Sequence, residues 1–241
     1  MDKLNIAIVT VHPDDAEFQM GGTIIKYVKK GHKVTNIICT NGDAGTNSLT
    51  REEIVKIRLD EALEGSKVLG TELIMLGFYD QMFLDTVENR LVVLDALRQV
   101  KPDIVFTLNP KDTTSSDHRV GAGIGMDMSF IISSNSIKTE CPRVDKVPAL
   151  YFMDAPGEIN FSPIEFVDIS DVMDLKKEAL AKHKSQFEWM NSLVGKNSSL
   201  ENMETINRFR GFQCGVRYAE AFEPKNTFTR GRVNSLLPQY I

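Results

Sequence analysis

Short apolar runs rich in β-branched residues recur along the chain, and longer amphipathic stretches separate them. The runs occupy residues 6–11, 34–40, 73–78, 104–108, 149–154 and 166–169. Apolar and polar residues do not alternate in them, as they would in a strand with one solvent-exposed face. The runs therefore predict strands that are buried on both faces. Between them, apolar positions recur every three or four residues, which predicts helices. These helices are expected to end near residue 30 and to span 50–69, 87–100, 171–194 and 200–217.

Successive strand and helix segments with short connections predict a parallel sheet with right-handed crossovers. We therefore expect an α/β protein, a Rossmann-like three-layer sandwich around a mostly parallel central sheet. A chain of 241 residues is long enough for one such domain. Because no linker or repeat interrupts the pattern, residues 1–241 are predicted to form a single domain. The segment 133–148 is expected to be a surface loop, and Tyr218, Glu220 and Phe222 are expected to lead into an irregular tail.

The helix at 50–69 carries local signals at its start. Thr50 and Glu53 have the spacing of a capping box, in which each side chain binds the other residue's backbone N–H. The apolar stripe that should bury this helix consists of Ile54, Ile57, Ala62 and Leu69.

The first strand ends in a cluster of polar residues within the stretch NIAIVTVHPDDAEFQMGGT at 4–22. Pro13 has no backbone N–H and cannot continue a central strand, so the strand is expected to stop at His12. In an open α/β sheet, ligands bind at the carboxyl ends of the strands. This stretch therefore predicts a functional site at that edge of the sheet.

His12 and Asp15 bring metal-binding groups to this turn. An imidazole and a carboxylate three residues apart can bind one metal ion. Asp14, which lies between them, can face a metal-bound water as a general base. The alternative is that Asp14 or Asp15 only caps the following helix. The turn by itself does not choose between these interpretations.

A third ligand follows the strand at 104–108. That strand leads into a polar loop at 111–119, which contains Asp117 and His118. Because parallel strands end at the same edge of a sheet, His12, Asp15 and His118 are expected to meet there. Two histidines and one carboxylate, with positions left for water and substrate, are typical of catalytic zinc sites. The same set of ligands also suits Fe²⁺.

The composition of the chain says more about its possible partners than about its fold. Hydrophobic residues make up 42% and charged residues 25% of the chain, and its net charge of −5 gives no sign of a nucleic-acid surface. No apolar run approaches the roughly 18 residues of a membrane span, and no apolar leader segment precedes the first strand. The scattered Cys39, Cys141 and Cys214 argue against a disulfide framework. We therefore expect a cytoplasmic protein with a small-molecule partner.

The motifs resemble those of the PIG-L/LmbE deacetylases. The resemblance rests on HPDDAEFQMGGTI after the first strand and DHR around residue 118, and continues in RLDEA at 58–62, KKEALAKHKSQF at 176–187 and GVRYAEAF at 215–222. Members of this family are zinc-dependent enzymes that remove acetyl groups from N-acetylglucosamine-type substrates. The resemblance thus implies Zn²⁺ as cofactor and a small N-acetylated substrate. Relatives are frequently oligomeric, which extends the expectation to a homo-oligomer.

The resemblance also suggests roles for residues around the metal ligands. It implies that Arg58 contacts the substrate, although arginines on helices are more often solvated or ion-paired. Asp80 follows a predicted strand and either binds a sugar hydroxyl or caps a turn. Asp117 is expected to orient a ligand imidazole rather than to bind the metal itself.

The sequence departs from the family pattern just before His118. Members commonly have a histidine three residues before this ligand, where it helps to stabilise the oxyanion, but Ser115 stands there in a loop one residue longer than usual. Serine donates a hydrogen bond but cannot become cationic, and losing an oxyanion donor costs on the order of 100-fold in rate. Either His183, as a cationic imidazole, or Ser115 or an ordered water fills this role, or the activity is altered. The alternative for His183 is a packing or surface role, and His32 should lie at the opposite edge of the sheet.

Three functions compete at this point. The leading hypothesis is a hydrolase that removes an N-acetyl group from an amino-sugar-containing small molecule by attack of a zinc-bound water, with Asp14 as base. The second is a hydrolase of another amide or ester with the same metal site. The third is a non-catalytic metal- or sugar-binding protein. Asp14 beside His12, Asp15 and His118 argues against the third, because a binding module does not need a base there.

Overall fold

A computed structural model describes residues 3–154, 161–195, 199–226 and 231–241. Seven helices and seven strands are found in these ranges. The strands are β1 (Asn5–Thr10), β2 (Lys33–Thr40), β3 (Glu72–Phe78), β4 (Ile104–Thr107), β5 (Ala149–Met153), β6 (Glu165–Asp168) and β7 (Ala219–Pro224). The helices are α1 (Asp15–Lys29), α2 (Arg51–Leu69), α3 (Val87–Val100), α4 (Ser116–Ile131), α5 (Met173–Leu180), α6 (Lys184–Val194) and α7 (Ser199–Cys214).

The strands form one sheet in the order β3-β2-β1-β4-β5-β7-β6. The first five strands in this order, β3, β2, β1, β4 and β5, are parallel. Strand β7 pairs antiparallel with both β5 and β6. Strand β1 lies between β2 and β4, with Ile6 paired to Val34 on one side and to Ile104 on the other. The turns that follow β1 and β4 therefore lie side by side, as the sequence predicts.

Two apolar cores lie on opposite faces of this sheet. Ile6 and Ile8 of β1 belong to the core beneath α1 and α5. Ala7 and Val9 point the other way, into the core beneath α3 and α4. Successive side chains of a strand alternate between its two faces, so the continuous apolar run fills both cores. The mostly parallel α/β three-layer sandwich predicted from the sequence is confirmed.

Helix α2 begins as its sequence predicts. Thr50 accepts a hydrogen bond from the Glu53 backbone N–H, and the Glu53 side chain accepts one from Thr50 N–H, which completes the capping box. The predicted apolar stripe is right except at Ile57, which is 39% exposed.

Three predicted elements were wrong in their extent. The single helix predicted at 171–194 is broken into α5 and α6, because His183 has a non-helical ψ of 58° and the start of α6 is bound by a neighbouring helix. There, Glu61 of α2 accepts hydrogen bonds from the Ser185 backbone N–H and hydroxyl at 2.8 and 2.6 Å. His118, predicted in a loop, lies in the first turn of α4. The residues predicted to lead into an irregular tail form strand β7, whose pairing with distant strands leaves no local signal.

Strand β7 also supports helix α1 behind the site. Met20 interrupts α1 with φ −141° and ψ 20°, so a second helical segment starts after it. Its first N–H groups, from Gly22 and Thr23, donate to the Glu220 carboxylate at 2.9 and 2.7 Å. The buried Lys176 ammonium donates to the same carboxylate at 2.6 Å. A charged group on β7 therefore caps the resumed helix and fixes its position on the sheet.

None of the described helices is long and apolar enough to cross a membrane.

Candidate metal centre and catalytic pocket

The predicted ligands meet at the carboxyl edge of the parallel strands. His12 and Asp15 follow β1, and His118 lies at the start of α4, which follows β4. His12 Nδ1 lies 2.9 Å from His118 Nε2, and Asp15 Oδ1 lies 3.4 Å from the same nitrogen. One ligand atom from each of the three residues lies within 4.8 Å of the others. This cluster can hold one metal ion.

The backbone of the first turn fixes the Asp15 carboxylate. Its Oδ2 accepts hydrogen bonds from the N–H groups of Val11 and His12 at 3.0 and 2.8 Å. Burial opposes ionisation of Asp15, but the adjacent His118 and His12 hold its pKa well below the ordinary value. One oxygen of an ionised carboxylate is thus left to face His118.

Carboxylates on the far side of each ring set the tautomers of both histidines. His12 Nε2 lies 3.1 Å from Asp80 Oδ1, and His118 Nδ1 lies 2.8 Å from Asp112 Oδ2. A carboxylate accepts a hydrogen bond, so each of these ring nitrogens carries the proton. The opposite nitrogens, His12 Nδ1 and His118 Nε2, then point lone pairs at each other.

Two lone pairs 2.9 Å apart repel each other unless a cation lies between them. A proton on His118 is one such cation. Burial lowers the pKa of His118, but the carboxylates of Asp15 and Asp112 outweigh it and raise that pKa to about 10. A divalent metal ion competes with that proton for the same lone pairs and is attracted by the same carboxylates. The donor set therefore fits Zn²⁺, which is bound by imidazole nitrogen and carboxylate oxygen.

The carboxylate that orients His118 belongs to Asp112. Asp117 clusters instead with His12 and Asp80, with one ligand atom of each within 4.8 Å of the others, so its role in orienting an imidazole stays a prediction that concerns His12. Asp117 is buried beside the site and accepts a hydrogen bond from the Gln81 backbone N–H at 2.7 Å. Asp112 also accepts hydrogen bonds from the N–H groups of Thr114 and Ser115, which folds its loop back towards His118. An aspartate followed by small polar residues is a local turn signal, and it could have identified Asp112.

Neither Asp14 nor Asp15 caps α1 through its side chain. Asp14 occupies the N-cap position without a side-chain cap hydrogen bond, and Asp15 binds the preceding turn instead. Burial raises the pKa of Asp14, and the guanidinium of Arg58 opposes that shift, with its Nη2 3.5 Å from Asp14 Oδ1. Asp14 is therefore a carboxylate held beside the cluster with capacity to accept a proton.

Arg58 is a buried residue of α2, and its side chain lines the cavity next to Asp14. Its Nη1 donates to the Gly42 carbonyl at 3.3 Å and lies 3.8 Å from Asp80 Oδ2. Its Nε has no hydrogen-bond partner among the described residues. A Cβ at Gly42 or Gly45 would lie 2.7 Å from the guanidinium, so these glycines make room for it. The side chain is thus ion-paired and still turned towards the cavity.

The two candidates for the oxyanion donor lie in different surroundings. Ser115 lines the cavity, and its buried Oγ has no partner within the described chain. His183 is 1% exposed and is not among the lining residues; its Nε2 lies 3.6 Å from Oε1 of Glu17, a buried residue that the sequence analysis missed. Burial lowers the pKa of His183, but Glu17 and Asp14 outweigh it and raise that pKa. Of the two, Ser115 is the one at the cavity wall.

His32 lies at the amino edge of the sheet, away from the cluster, as predicted. Its Nδ1 accepts a hydrogen bond from the Leu4 backbone N–H at 3.2 Å. It is buried, and its ring contacts Tyr27.

A cavity of about 580 Å³ extends from the cluster to helices α6 and α7. The predicted residues His12, Asp14, Asp15, Arg58, Asp80, Ser115 and His118 line one end. Side chains of Trp189, Met190 and Ile206 line the other. A volume of this size is in the range of ligand pockets for small organic molecules.

An α/β fold with this cluster, and with a carboxylate beside it, has the groups that a metal-dependent hydrolase needs: ligands for one ion and a base for water. Residues 7–129, more than half of the chain, match the model of the PIG-L family, described as GlcNAc-PI de-N-acetylase. The chain therefore belongs to the PIG-L family of de-N-acetylases, which confirms the resemblance seen in its motifs.

Individual proteins extend the likeness beyond the family match. Diacetylchitobiose deacetylase of Thermococcus kodakarensis is 29% identical over 236 residues, covering 91% of this chain and 82% of its own. The structure of N,N'-diacetylchitobiose deacetylase from Pyrococcus horikoshii, with its inhibitor MPG, superposes with a TM-score of 0.82 at 27% identity, covering 92% of this chain and 84% of its own. GalB, the 4-carboxy-2-hydroxymuconate hydratase of Pseudomonas putida, gives a TM-score of 0.81 at 20% identity, covering 98% of this chain and 100% of its own. The likeness to GalB shows the fold alone.

Proposed function

We propose that this protein is a zinc-dependent hydrolase that removes the N-acetyl group from an amino-sugar-containing small molecule. The observation that carries the proposal is the 2.9 Å approach of two imidazole nitrogens, His12 Nδ1 and His118 Nε2, whose other nitrogens are committed to carboxylates. Asp15 completes the ligand set, and Asp14 stands beside it. Family membership and the deacetylase relatives support the choice of an N-acetylated amino sugar.

His12, Asp15 and His118 would hold the metal ion. Zn²⁺ bound there would supply Lewis acidity, polarising the acetyl carbonyl and making water acidic enough to attack near neutral pH. Fe²⁺ accepts the same ligands, so metal analysis of protein purified without added metal decides the identity of the ion.

Asp14 is the proposed general base. It takes a proton from the attacking water, a C–O bond to the acetyl carbon forms, and the amide C–N bond breaks. Asp14 then returns the proton to the leaving nitrogen, so that acetate and a free amine result. Burial raises the pKa of this carboxyl above the ordinary value, which favours its acceptance of the proton.

Arg58 is the proposed substrate contact, because its side chain lines the cavity beside Asp14. The same guanidinium forms an ion pair with Asp14 and holds that carboxylate in place. Asp80 lines the cavity, but one of its oxygens is engaged by His12 and the other faces Arg58. Orienting His12 is therefore its main proposed role, and contact with a sugar hydroxyl stays a prediction.

Ser115 is expected to donate the hydrogen bond that stabilises the oxyanion. Ser115→Ala should lower kcat by about 100-fold, the scale of one lost oxyanion donor, with metal content unchanged. Ser115→Thr is the matched control, because it keeps the hydroxyl. The competing proposal is that His183 supplies this function from its position beside Glu17. If Ser115→Ala has normal kcat while His183→Ala loses about 100-fold with full metal content, the role belongs to His183.

The test of the proposed function is acetate release from N-acetylated sugars by the zinc-loaded protein. We expect equimolar acetate and free amine from at least one N-acetylglucosamine conjugate. Release from simple amides or esters but not from sugars would favour the broader hydrolase. Binding of metal and sugar without any acetate release would make the protein a binding module.

Other expectations from the sequence stay predictions. They are a single domain over 1–241, a cytoplasmic location and assembly into a homo-oligomer. Light scattering after size exclusion measures the oligomeric state.

A further inference from the structure

One residue of the cavity wall has a backbone conformation that its residue type disfavours. Gln81, between β3 and α3, has φ 65°, in the left-handed region where the Cβ crowds the following carbonyl oxygen. The other described non-glycine residue with positive φ, Lys101, ends helix α3, where this conformation is common. Gln81 ends no helix. Glycine or asparagine would form its turn with less strain, so the turn by itself does not account for a glutamine.

Buried carboxylates from two neighbouring loops hold the backbone of this turn. Asp117 Oδ2 accepts a hydrogen bond from the Gln81 N–H at 2.7 Å, and Asp43 Oδ1 accepts one from the Asp80 N–H at 2.8 Å. Both accepting aspartates are buried. Phe83, two residues further on, is 2% exposed and anchors the other end of the turn. The surrounding fold therefore imposes the strained conformation, as is typical of strain at functional sites.

The hydrogen bond of the Gln81 side chain fixes the direction of its amide. Nε2 donates to Asp80 Oδ1 at 3.2 Å, the oxygen that also faces His12 Nε2. A carboxylate only accepts hydrogen bonds, so the nitrogen of the amide, and not its oxygen, lies against Asp80. No donor from the described residues binds the amide oxygen, Oε1. Because Gln81 is an exposed residue that lines the cavity, a bound ligand can reach it.

The position of Gln81 indicates which part of a substrate it meets. Its neighbour Asp80 lies 3.1 Å from the metal ligand His12, so the Gln81 amide is at the reacting end of the cavity. The acetamide of the proposed substrate must reach the same end. In an N-acetylglucosamine conjugate joined through C1, the C3 hydroxyl is the free hydroxyl next to the carbon that bears the acetamide. A hydroxyl can donate to an amide oxygen.

We propose that Gln81 is a specificity-determining residue, whose Oε1 accepts a hydrogen bond from the C3 hydroxyl of the N-acetylated ring while Asp80 holds its Nε2. This inference rests on the proposed function, and it adds a substrate contact to that of Arg58. The left-handed backbone places one side chain between Asp80 and the substrate. A substrate without this hydroxyl leaves Oε1 without a donor and binds more weakly.

Ligand binding tests this contact without depending on hydrolysis. Trp189, the single tryptophan of the chain, lines the same cavity, so its fluorescence reports binding. The zinc-loaded Asp14→Asn protein is titrated with the methyl glycoside of N-acetylglucosamine and with its 3-deoxy analogue. We expect the Kd of the 3-deoxy analogue to be about three- to tenfold higher, the scale of one neutral hydrogen bond. When Gln81→Ala is added to this protein, the two Kd values should become equal.

Two further variants in the same background separate the side chain from the backbone. Gln81→Gly adopts φ 65° without steric cost, so its Tm should equal or exceed that of the parent protein while the preference for the 3-hydroxyl is lost. Gln99→Ala removes another exposed glutamine, on α3 and outside the cavity lining, and should keep the preference. A preference retained in both Gln81 variants would overturn the contact, as would equal Kd values of the two ligands in the parent protein.

Steady-state kinetics separates this inference from the proposed reaction. In the wild type, kcat/KM for acetate release should be about three- to tenfold higher for the methyl glycoside than for its 3-deoxy analogue. Gln81→Ala should bring this ratio to about one with metal content unchanged. If neither ligand releases acetate but the preference in binding depends on Gln81, the proposed reaction fails and the contact stands. If acetate is released and the ratio is the same in wild type and Gln81→Ala, the contact fails and the reaction stands.

Discussion

Replacing Asp14 with asparagine is expected to lower kcat by about 10²- to 10⁴-fold, the usual range for a lost general base. Asparagine is nearly the same size, but its amide cannot accept the proton of the attacking water. Metal content should not change, because Asp14 is outside the His12, Asp15 and His118 cluster. The measurement pairs kcat with metal stoichiometry on the same preparation.

Asp60→Asn is the matched control for loss of one carboxylate. Asp60 is exposed on α2, the helix that also carries Arg58, and its replacement should leave kcat and metal content as in the wild type. Loss of metal in Asp14→Asn would make Asp14 a ligand. Wild-type kcat in that variant would remove it from the reaction.

His118→Ala is expected to reduce the bound metal from one ion per chain to nearly none and to abolish acetate release. The variant removes Nε2, the atom that both His12 and Asp15 approach, at 2.9 and 3.4 Å. What remains is one imidazole and one carboxylate, fewer than the three protein ligands of a catalytic zinc site. Elemental analysis after dialysis against a weak chelator measures the loss.

Asp112→Asn gives a graded comparison for the same site. It keeps the shape of the side chain that holds His118 Nδ1 at 2.8 Å but removes its charge. Metal affinity should fall by about 10- to 100-fold, as for other residues that orient a metal ligand. One metal ion retained by His118→Ala would refute the ligand assignment. Unchanged affinity in Asp112→Asn would show that the His118 ring is oriented without that charge.

The sequence by itself determined the features that depend on neighbouring residues. The apolar run at 6–11 determined that β1 is a buried strand, and Pro13 determined where it ends. The polar residues His12, Asp14 and Asp15 therefore lie at its carboxyl end. Thr50 and Glu53 are close enough along the chain to specify the start of α2 through their own capping box. Apolar periodicity, proline and caps act over a few residues, so they are readable without a fold.

Only the tertiary structure decided which distant groups meet. Asp112, rather than Asp117, holds the His118 ring, because the loop between them folds back on itself. Strand β7 exists because β5 and β6 lie on either side of it, and the break between α5 and α6 is fixed by Glu61 from another helix. Each of these depends on pairing between segments far apart in the chain, where burial and hydrogen bonds outweigh local propensity.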